Sequence, residues 1–234
     1  MTYLRWDVAG PYEVVFTTRV GGVSDGPFAS LNLGRRTGDD VERVDENRRL
    51  ACAEIGAEAS RLALNYQLHS TLVHRAVAAS RDRRGDGLWT DEPDLPILAL
   101  GADCLPVALA RVNGAAPAVA VLHVGWRGLL DGIVERGVEA LGGEVAAAVG
   151  PGIGPCCYEV REDVGDPFRA RFGREIVSDG KLDLWRSAEL ALREAGVARV
   201  HRFDLCTSCR PELFFSHRRD GKQRGVQGVL ARVA

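Results

Sequence analysis

The stretch of sequence that decides the fold is LPILALGADCLPVALARVNGAAPAVAVLHVGWRG, residues 95–128. It contains apolar segments over residues 107–112 and 118–124, separated by the pair Asn113-Gly114. Asn-Gly between two apolar segments is a strong signal for a β-hairpin with a tight turn. We therefore predict an antiparallel hairpin here, preceded by a further apolar run that begins at Leu95.

The hairpin places two chemically interesting residues close together. Cys104 lies ten residues before Gly114, and His123 lies nine residues after it. Antiparallel pairing therefore puts both at the same end of the sheet. From residue 126 to about residue 141 the apolar residues follow i, i+3, i+4 spacing, which predicts a helix. His123 should then lie at a strand-to-helix junction, where ligands often bind.

The rest of the chain alternates between short apolar runs and helical patterns. We predict strands over residues 14–19, 62–68, 72–77, 145–149, 197–200 and 226–233, and helices over residues 41–55 and 182–195. Mixed strands and helices of this kind indicate an α/β or α+β protein. Because no stretch has the composition of a flexible linker, we expect residues 1–234 to form one domain.

Composition excludes several classes of protein. The chain has 234 residues, with 30 lysines and arginines against 32 aspartates and glutamates, and a formal net charge of -2. Such a chain lacks the basic field that holds a nucleic-acid backbone, and its charged N-terminus and short apolar runs argue against export or a membrane span. We therefore expect a cytoplasmic protein, in which the six cysteines are core residues, ligands or nucleophiles rather than disulfides.

Three residues form a candidate metal site. His69 follows directly on the predicted strand over residues 62–68, and it adds a second histidine to Cys104 and His123. Two histidines and a cysteine supply three ligands to zinc and leave a fourth position for water, as in catalytic sites. The alternative without a metal treats Cys104 as a small buried residue and each histidine as a polar residue with its own partners.

Two other classes of enzyme use the same residue types. A blue-copper centre also has two histidines and one cysteine. A multicopper oxidase needs a histidine-rich trinuclear cluster in addition, which five histidines in the whole chain cannot supply. A cysteine hydrolase would use Cys104 as nucleophile and His123 as base, and it would leave His69 without a role.

Further candidates come from single residue types. Cys206 and Cys209 have half of the spacing of a zinc knuckle and also the spacing of a redox pair, but no second pair completes a structural zinc site in the sequence. We expect them to have a structural role rather than a role in redox catalysis. The remaining histidines, which we expect to be structural or superficial, are His74, His201 and His217. Arginine suits phosphate through its planar fork of donors. The arginines that could bind phosphate are Arg19, Arg127, Arg218 and Arg219.

Ordered motifs run along almost the whole chain. They include QLH at 67–69, ADCLP at 102–106, HVGWRG at 123–128, GPGIGPCCYE at 150–159 and CTSCRPELFFSHRRDG at 206–221. Through these motifs the sequence resembles the YfiH family, also called the multicopper-polyphenol-oxidase-like laccase-domain proteins. The number and order of the motifs make the resemblance highly specific.

The resemblance implies a fold, a metal and an activity. The fold is a layered α/β (α+β) arrangement of mixed sheets with flanking helices, shared with cytotoxic-necrotizing-factor-like domains. The metal is zinc, held by His69, Cys104 and His123. Weak oxidation by adventitious copper in vitro is left over from the copper-oxidase alternative. The activity is phosphorolysis of adenosine, inosine and guanosine to base and ribose 1-phosphate, with adenosine deamination and methylthioadenosine phosphorolysis as companions.

Roles for other residues and partners follow partly from the resemblance and partly from position in the sequence and composition. The candidate catalytic residues are Cys104, Asp103 and Arg218. Asp103, next to a ligand, would orient a ligand histidine or handle a proton. Asn32 is a candidate for binding substrate. Arg224 is displaced by one position from the family's arginine and is assigned no role. We expect purine nucleosides and phosphate as partners, no nucleic acid or membrane, and a monomer or dimer. A peptidoglycan-editing role, associated with bacterial relatives, is an alternative function.

Overall fold

The structure, a computed structural model, describes residues 3–112 and 116–234. The strands in this part of the chain are β1 (Tyr3–Arg5), β2 (Tyr12–Thr17), β3 (Ala63–Leu64), β4 (Val73–Arg75), β5 (Gly87–Thr90), β6 (Ile97–Gly101), β7 (Leu105–Arg111), β8 (Val119–Val124), β9 (Val145–Val149), β10 (Val177–Ser178), β11 (Lys181–Leu182), β12 (Arg199–Arg202) and β13 (Gln227–Val233). The α-helices are α1 (Val41–Glu54), α2 (Trp126–Asp131), α3 (Ile133–Leu141), α4 (Glu162–Phe172), α5 (Leu184–Glu194) and α6 (His217–Asp220). None of these helices is long and apolar enough to cross a membrane.

The elements form four layers. The first sheet has the strand order β1-β2-β13-β6-β3, and the second has the order β12-β9-β7-β8-β5-β4. One hydrophobic cluster lies between the two sheets. A second lies between the second sheet and helices α2 to α5, and a third lies between the first sheet and α1. The predicted fold of layered mixed sheets with flanking helices is therefore confirmed.

The strands are apolar on both faces because both faces are covered. In β2, Val14 and Phe16 belong to the cluster between the sheets, whereas Val15 belongs to the cluster beneath α1. In β7, Ala108 faces the other sheet and Val107 faces the helices. Successive side chains of a strand point to opposite faces, so burial on two sides requires a continuous apolar run.

The predicted hairpin is formed by β7 and β8. The two strands are antiparallel, with Pro106 opposite His123 and Leu105 opposite Val124. This register places Cys104, the residue before β7, at the same sheet end as His123, as predicted. The Asn113-Gly114 turn lies outside the described residues.

Some predicted elements differ from those observed. The periodic pattern over residues 126–141 predicts one helix, but Gly132 has a φ of 97° and separates α2 from α3. The predicted strand over residues 62–68 is reduced to two residues, because beyond it the side chain of Gln67 bonds both backbone groups of Leu100, at 2.7 and 2.8 Å. Helix α4 has no counterpart among the predicted elements, since Pro167 lies inside it.

Candidate metal centre and its two cavities

His69, Cys104 and His123 converge at one end of the second sheet. Their ligand atoms all lie within 4.8 Å of one another, and Sγ of Cys104 is 3.7 Å from Nε2 of His69. The two imidazole rings meet edge to face, with their centroids 4.8 Å apart. The structure thus brings together the three residues that the sequence analysis selects as metal ligands.

The backbone around these residues is specialised. His69 has a φ of 63° and Asp103, next to Cys104, has a φ of 89°; both values lie in the region that is unfavourable for residues other than glycine. A Cβ atom at Gly125 would lie 2.5 Å from Cδ2 of His69 and 3.2 Å from Sγ of Cys104. Position 125 therefore requires glycine, because two candidate ligands occupy the space of a side chain.

Asp86 organises two of the three residues, although no motif marks it in the sequence. Its buried carboxylate accepts a hydrogen bond from Nδ1 of His123 at 2.8 Å and another from the backbone N–H of His69 at 2.9 Å. The backbone N–H and hydroxyl of Ser70 donate to it at 2.7 and 2.6 Å. Burial alone would raise the pKa of Asp86, but the donors from His123 and Ser70 hold it well below its ordinary value. A permanent negative charge therefore orients His123 and leaves its Nε2 as the ring nitrogen for a metal.

Cys104 and His123 stabilise each other's charged forms. Burial raises the pKa of the Cys104 thiol, but the His123 and His69 rings more than offset this and lower the pKa to about 6. Burial lowers the pKa of His123, whereas Cys104 and Asp86 raise it to about 9. Near neutral pH the metal-free centre therefore holds a thiolate beside an imidazolium. Binding of a divalent cation would release the imidazolium proton.

The candidate metal centre opens into a large cavity of about 620 Å³. His69, Cys104 and His123 line one side of it. The basic residues that line it are Arg35, Arg36, Arg48, Arg81, Lys222 and Arg224. Its acidic lining residue, Asp82, is bonded to Arg36. The large cavity therefore combines the candidate metal centre with an excess of positive charge, which suits an anion.

A small cavity of about 220 Å³ also adjoins the centre. It shares His69, Cys104 and His217 with the large cavity. Trp126 and Tyr158 also line it. Aromatic walls beside a few polar groups are typical of sites for flat organic ligands. His217, expected from the sequence to be structural or superficial, is thus placed on the wall common to both cavities.

The structure places Arg219 outside both cavities. Its Nε and Nη2 donate to the carboxylate of Asp220, at 2.7 and 2.6 Å. Its remaining N–H groups donate to the carbonyls of Thr207, Ser208 and Phe214. A guanidinium has five N–H donors, so the protein already occupies all of them. This residue, which the sequence analysis selects for phosphate, instead holds the C-terminal segment together.

Arg19 and Asn32 also have structural partners. Arg19 donates to the carbonyls of Ala29 and Pro211, and its guanidinium lies over the ring of Phe215. Asn32 is completely buried. Its amide bonds are to Thr37, Asp39, Gly34 and Val226. Neither residue lines the large or the small cavity, so the structure does not bring the two into the candidate site.

Asp103 bonds the C-terminal segment rather than a ligand histidine. Its Oδ1 accepts a hydrogen bond from the hydroxyl of Thr207, and its Oδ2 accepts one from the backbone N–H of Arg218, both at 2.6 Å. The carboxylate on His123 is that of Asp86. Asp103 therefore ties the loop that carries Cys104 to the start of α6.

The two remaining predicted arginines lie near the small cavity. Arg218 lines it, and its guanidinium donates to the carbonyls of Cys157 and Glu159 at 3.3 and 3.1 Å. Arg127 is exposed, and its guanidinium lies 4.4 Å from the ring centroid of Trp126, which lines the same cavity. Of the predicted phosphate residues, these two are the ones that the structure brings close to the candidate centre.

Three other arginines line the large cavity, and one of them has a buried donor without a partner among the described residues. The Nε atom of Arg224 is buried and has no hydrogen-bond partner among the described residues, and burial lowers the pKa of this residue. Arg48 is only 5% exposed, and burial lowers its pKa to about 10. Arg81 contributes further positive charge beside Arg48. A buried donor without a partner indicates space for an acceptor that the protein itself does not provide.

The fold and the site define a four-layer α/β protein with a histidine and cysteine centre at one sheet end. Residues 13–233 match the family described as multi-copper polyphenol oxidoreductase laccase, and the chain belongs to this family. Two solved structures share the whole fold. YlmD from Geobacillus stearothermophilus is 32% identical with a TM-score of 0.88, and the match covers 100% of this chain and 96% of that one. The Bacillus licheniformis hypothetical protein YfiH is 28% identical with a TM-score of 0.90, covering 100% and 97%.

Two relatives carry names that refer to nucleoside chemistry. A Deinococcus radiodurans protein named purine nucleoside phosphorylase is 41% identical over 221 residues, which cover 90% of this chain and 85% of the relative. A Haemophilus influenzae protein of the same name is 32% identical over 238 residues, which cover 97% and 96%. The resemblance to YfiH proteins described above is thereby confirmed.

Proposed function

We propose that the protein is a zinc-dependent purine nucleoside phosphorylase. It converts adenosine, inosine and guanosine to the free base and ribose 1-phosphate, and methylthioadenosine phosphorolysis and adenosine deamination are further activities. The observation that carries the proposal is the large cavity, where the histidine and cysteine centre and a group of arginines face one space. The names of the relatives agree with it.

The donor set of the centre fits zinc. Two imidazoles and one thiolate are common zinc ligands and leave one coordination position free. A tetrahedral zinc ion with ligand distances of about 2.3 Å to sulfur and about 2.1 Å to nitrogen separates those atoms by about 3.6 Å, and Sγ of Cys104 is 3.7 Å from Nε2 of His69. Asp86 behind His123 is the kind of carboxylate that orients a ligand histidine. When bound, zinc would supply Lewis-acid activation at neutral pH.

The arginines of the large cavity are the proposed phosphate site. Phosphorolysis needs phosphate held close to C1′ of the ribose, and preorganised positive charge serves that purpose. Arg224 and Arg48 are both half-buried or more and face the cavity that contains the candidate metal centre. Because Arg19 and Arg219 are occupied by other parts of the protein, Arg224, Arg48 and Arg81 take their place as candidates.

A multicopper oxidase is disfavoured by the distribution of ligands. Among residues 3–112 and 116–234, two groups of three or more convergent histidine, cysteine or carboxylate side chains occur, and only the group at His69 contains histidine. A trinuclear copper cluster needs several more histidines. Of the other histidines, His74 contacts the carbonyl of Arg84 at 3.0 Å and His217 contacts the carbonyl of Gly221 at 3.1 Å.

The experiment that tests the proposal separates base release from deamination. Purified protein is incubated with inosine or adenosine, with and without phosphate, and bases, inosine and ribose 1-phosphate are quantified separately. We expect base release only with phosphate, and conversion of adenosine to inosine in both buffers. If base and free ribose were released without phosphate as fast as base is released with it, the enzyme would be a hydrolase instead. Full activity of metal-free protein would contradict the role of zinc and favour a cysteine hydrolase that uses Cys104 and His123.

A further inference from the structure

Four cysteines outside the candidate metal centre converge at the surface. Cys156 and Cys157 follow β9, and Cys206 and Cys209 follow β12. Sγ of Cys209 is 3.3 Å from that of Cys156 and 3.2 Å from that of Cys157. All four sulfur atoms lie within 4.8 Å of one another. From the sequence we expect no second pair to complete a metal site with Cys206 and Cys209, but the structure brings the adjacent cysteines 156 and 157 beside them.

The sheet topology explains why pairs so distant in sequence meet. Strands β9 and β12 are parallel neighbours, with Val149 opposite Arg202. Because parallel neighbours end at the same edge of a sheet, the loops that follow them run side by side. A backbone bridge joins Gly152 to Cys206, and the N–H of Gly154 donates to Sγ of Cys206 at 3.3 Å. The two loops are therefore held together by the backbone, and the thiols face one another.

The arrangement of the sulfur atoms fits a tetrahedral ion. A zinc ion bound by four thiolates has zinc–sulfur distances of about 2.3 Å, so its sulfur atoms are about 3.8 Å apart. Two of the sulfur–sulfur separations, 3.3 and 3.2 Å, are about 0.5 Å shorter than this value. Because all four sulfur atoms lie within 4.8 Å of one another, a single ion can contact all of them. Burial of thiols in an apolar core would not explain the cluster, since Cys156 and Cys209 are exposed whereas Cys52, a core cysteine in α1, is buried.

We propose that Cys156, Cys157, Cys206 and Cys209 bind a second zinc ion in a closed, structural site. Four thiolates fill the tetrahedral coordination of zinc and leave no position for substrate. A tetrathiolate zinc centre carries two negative charges, and the guanidinium of Arg218, bonded to the carbonyl of Cys157, lies beside it to offset them.

The second zinc ion would fix one wall of the small cavity. The first loop of the cluster carries Tyr158, which lines that cavity. The second carries Thr207, whose hydroxyl bonds Asp103 beside Cys104. Joining the two loops through a metal thus stabilises the surroundings of the first centre without placing the second ion in contact with substrate.

The test uses variants that leave one site at a time. Cys104→Ser removes a ligand from the first centre and leaves the four-cysteine cluster intact, and the double variant Cys206→Ser, Cys209→Ser does the reverse. Each protein is purified without added metal, and zinc is measured by elemental analysis and by X-ray absorption at the zinc edge. Cys52→Ala, at a cysteine outside both groups, is the control and should match the parent.

We expect about two zinc ions per chain in the parent and about one in each site variant. In Cys104→Ser the remaining zinc should have a first shell of four sulfur atoms. A first shell containing nitrogen or oxygen in that variant would overturn the proposal. Absence of zinc from Cys104→Ser would also overturn the proposal, whether the four cysteines are then alkylated as free thiols or found as disulfides. This decision stands on Cys104→Ser alone if the double variant does not fold.

Discussion

Nδ1 of His123 donates a hydrogen bond to Oδ1 of Asp86 across 2.8 Å, and both side chains are buried. The same carboxylate oxygen accepts the backbone N–H of His69. One residue that is not itself a candidate ligand therefore sets the positions of two that are. Asp86 also keeps a negative charge behind the imidazole, which makes the ring a stronger metal ligand.

Asp86→Asn should weaken zinc binding at the first centre by about 10-fold to 100-fold, the usual range for residues behind a metal ligand. Asparagine has nearly the same size but carries no charge and only one acceptor oxygen. Zinc affinity is measured by competition with a chelating dye. The matched control is Asp91→Asn, since Asp91 bonds Arg75 at the surface, and its affinity should equal the parent's. An unchanged affinity in Asp86→Asn would show that the bond to His123 contributes nothing to the metal site.

The sequence predicts the three candidate ligands, but it does not predict Asp86, the residue that positions two of them. Cys104 and His123 flank a hairpin whose register follows from apolar runs on either side of a short connection. Asp86 has no comparable signal. It reaches His123 because β5 pairs with β8, and the pairing of strands that are not adjacent in sequence depends on packing of the whole sheet.

Cys104 of the metal-free protein should react as a thiolate at unusually low pH. The folded protein lowers its pKa to about 6, against about 8.5 for an ordinary thiol, so the thiolate is present above pH 6 and lost below it. Protein stripped of metal is treated with iodoacetamide over a range of pH, and alkylation at each cysteine is followed by peptide mass spectrometry. The rate at Cys104 should be half-maximal near pH 6, and added zinc should suppress it.

Cys52 is the internal control for that titration. Burial raises its pKa to about 12, so it should stay unmodified throughout. A midpoint near the ordinary thiol value at Cys104 would mean that the imidazoles of His69 and His123 do not stabilise its thiolate in solution.

Gly125→Ala should abolish zinc binding at the first centre while the protein still folds. The added Cβ would lie 2.5 Å from Cδ2 of His69 and 3.2 Å from Sγ of Cys104, so at least one candidate ligand must move. The matched control is Gly165→Ala in α4, where the nearest atom is the end of the Arg169 side chain at 3.4 Å. That change removes a flexible residue from a helix and should be neutral or stabilise the protein by about 0.5–1 kcal/mol. Zinc content and the unfolding temperature are compared; full zinc in Gly125→Ala would exclude the proposed geometry.

A phosphate site is harder to predict from the sequence than the metal site, because every arginine carries the same guanidinium group. Arg219 lies in a motif, yet its five donors are used within the protein. Arg224 lies off the family pattern, yet its buried Nε has no partner within the described ranges. What distinguishes the two is the set of carbonyls around each guanidinium, and that depends on how the loop after residue 206 folds back.

Arg224→Ala and Arg219→Ala should therefore affect different properties of the protein: the first phosphate binding, the second stability. Removing a hydrogen bond to a charged ligand costs about 1.5–3 kcal/mol, and 1.4 kcal/mol corresponds to a factor of ten. Arg224→Ala should accordingly raise the KM for phosphate in inosine cleavage at least tenfold, with zinc content and phosphate-independent deamination of adenosine unchanged.

Arg219→Ala should lower the unfolding temperature instead, because it leaves the carbonyls of Thr207, Ser208 and Phe214 without their donors. Each carbonyl left buried and unpaired costs about 1–3 kcal/mol. At temperatures where the variant is folded, its KM for phosphate should equal the parent's. The measurements are phosphate titrations of inosine cleavage and thermal unfolding of both variants. A raised KM in Arg219→Ala with a normal KM in Arg224→Ala would move the anion site to α6, where the motif alone places it, and would remove the large cavity from the phosphate-binding role.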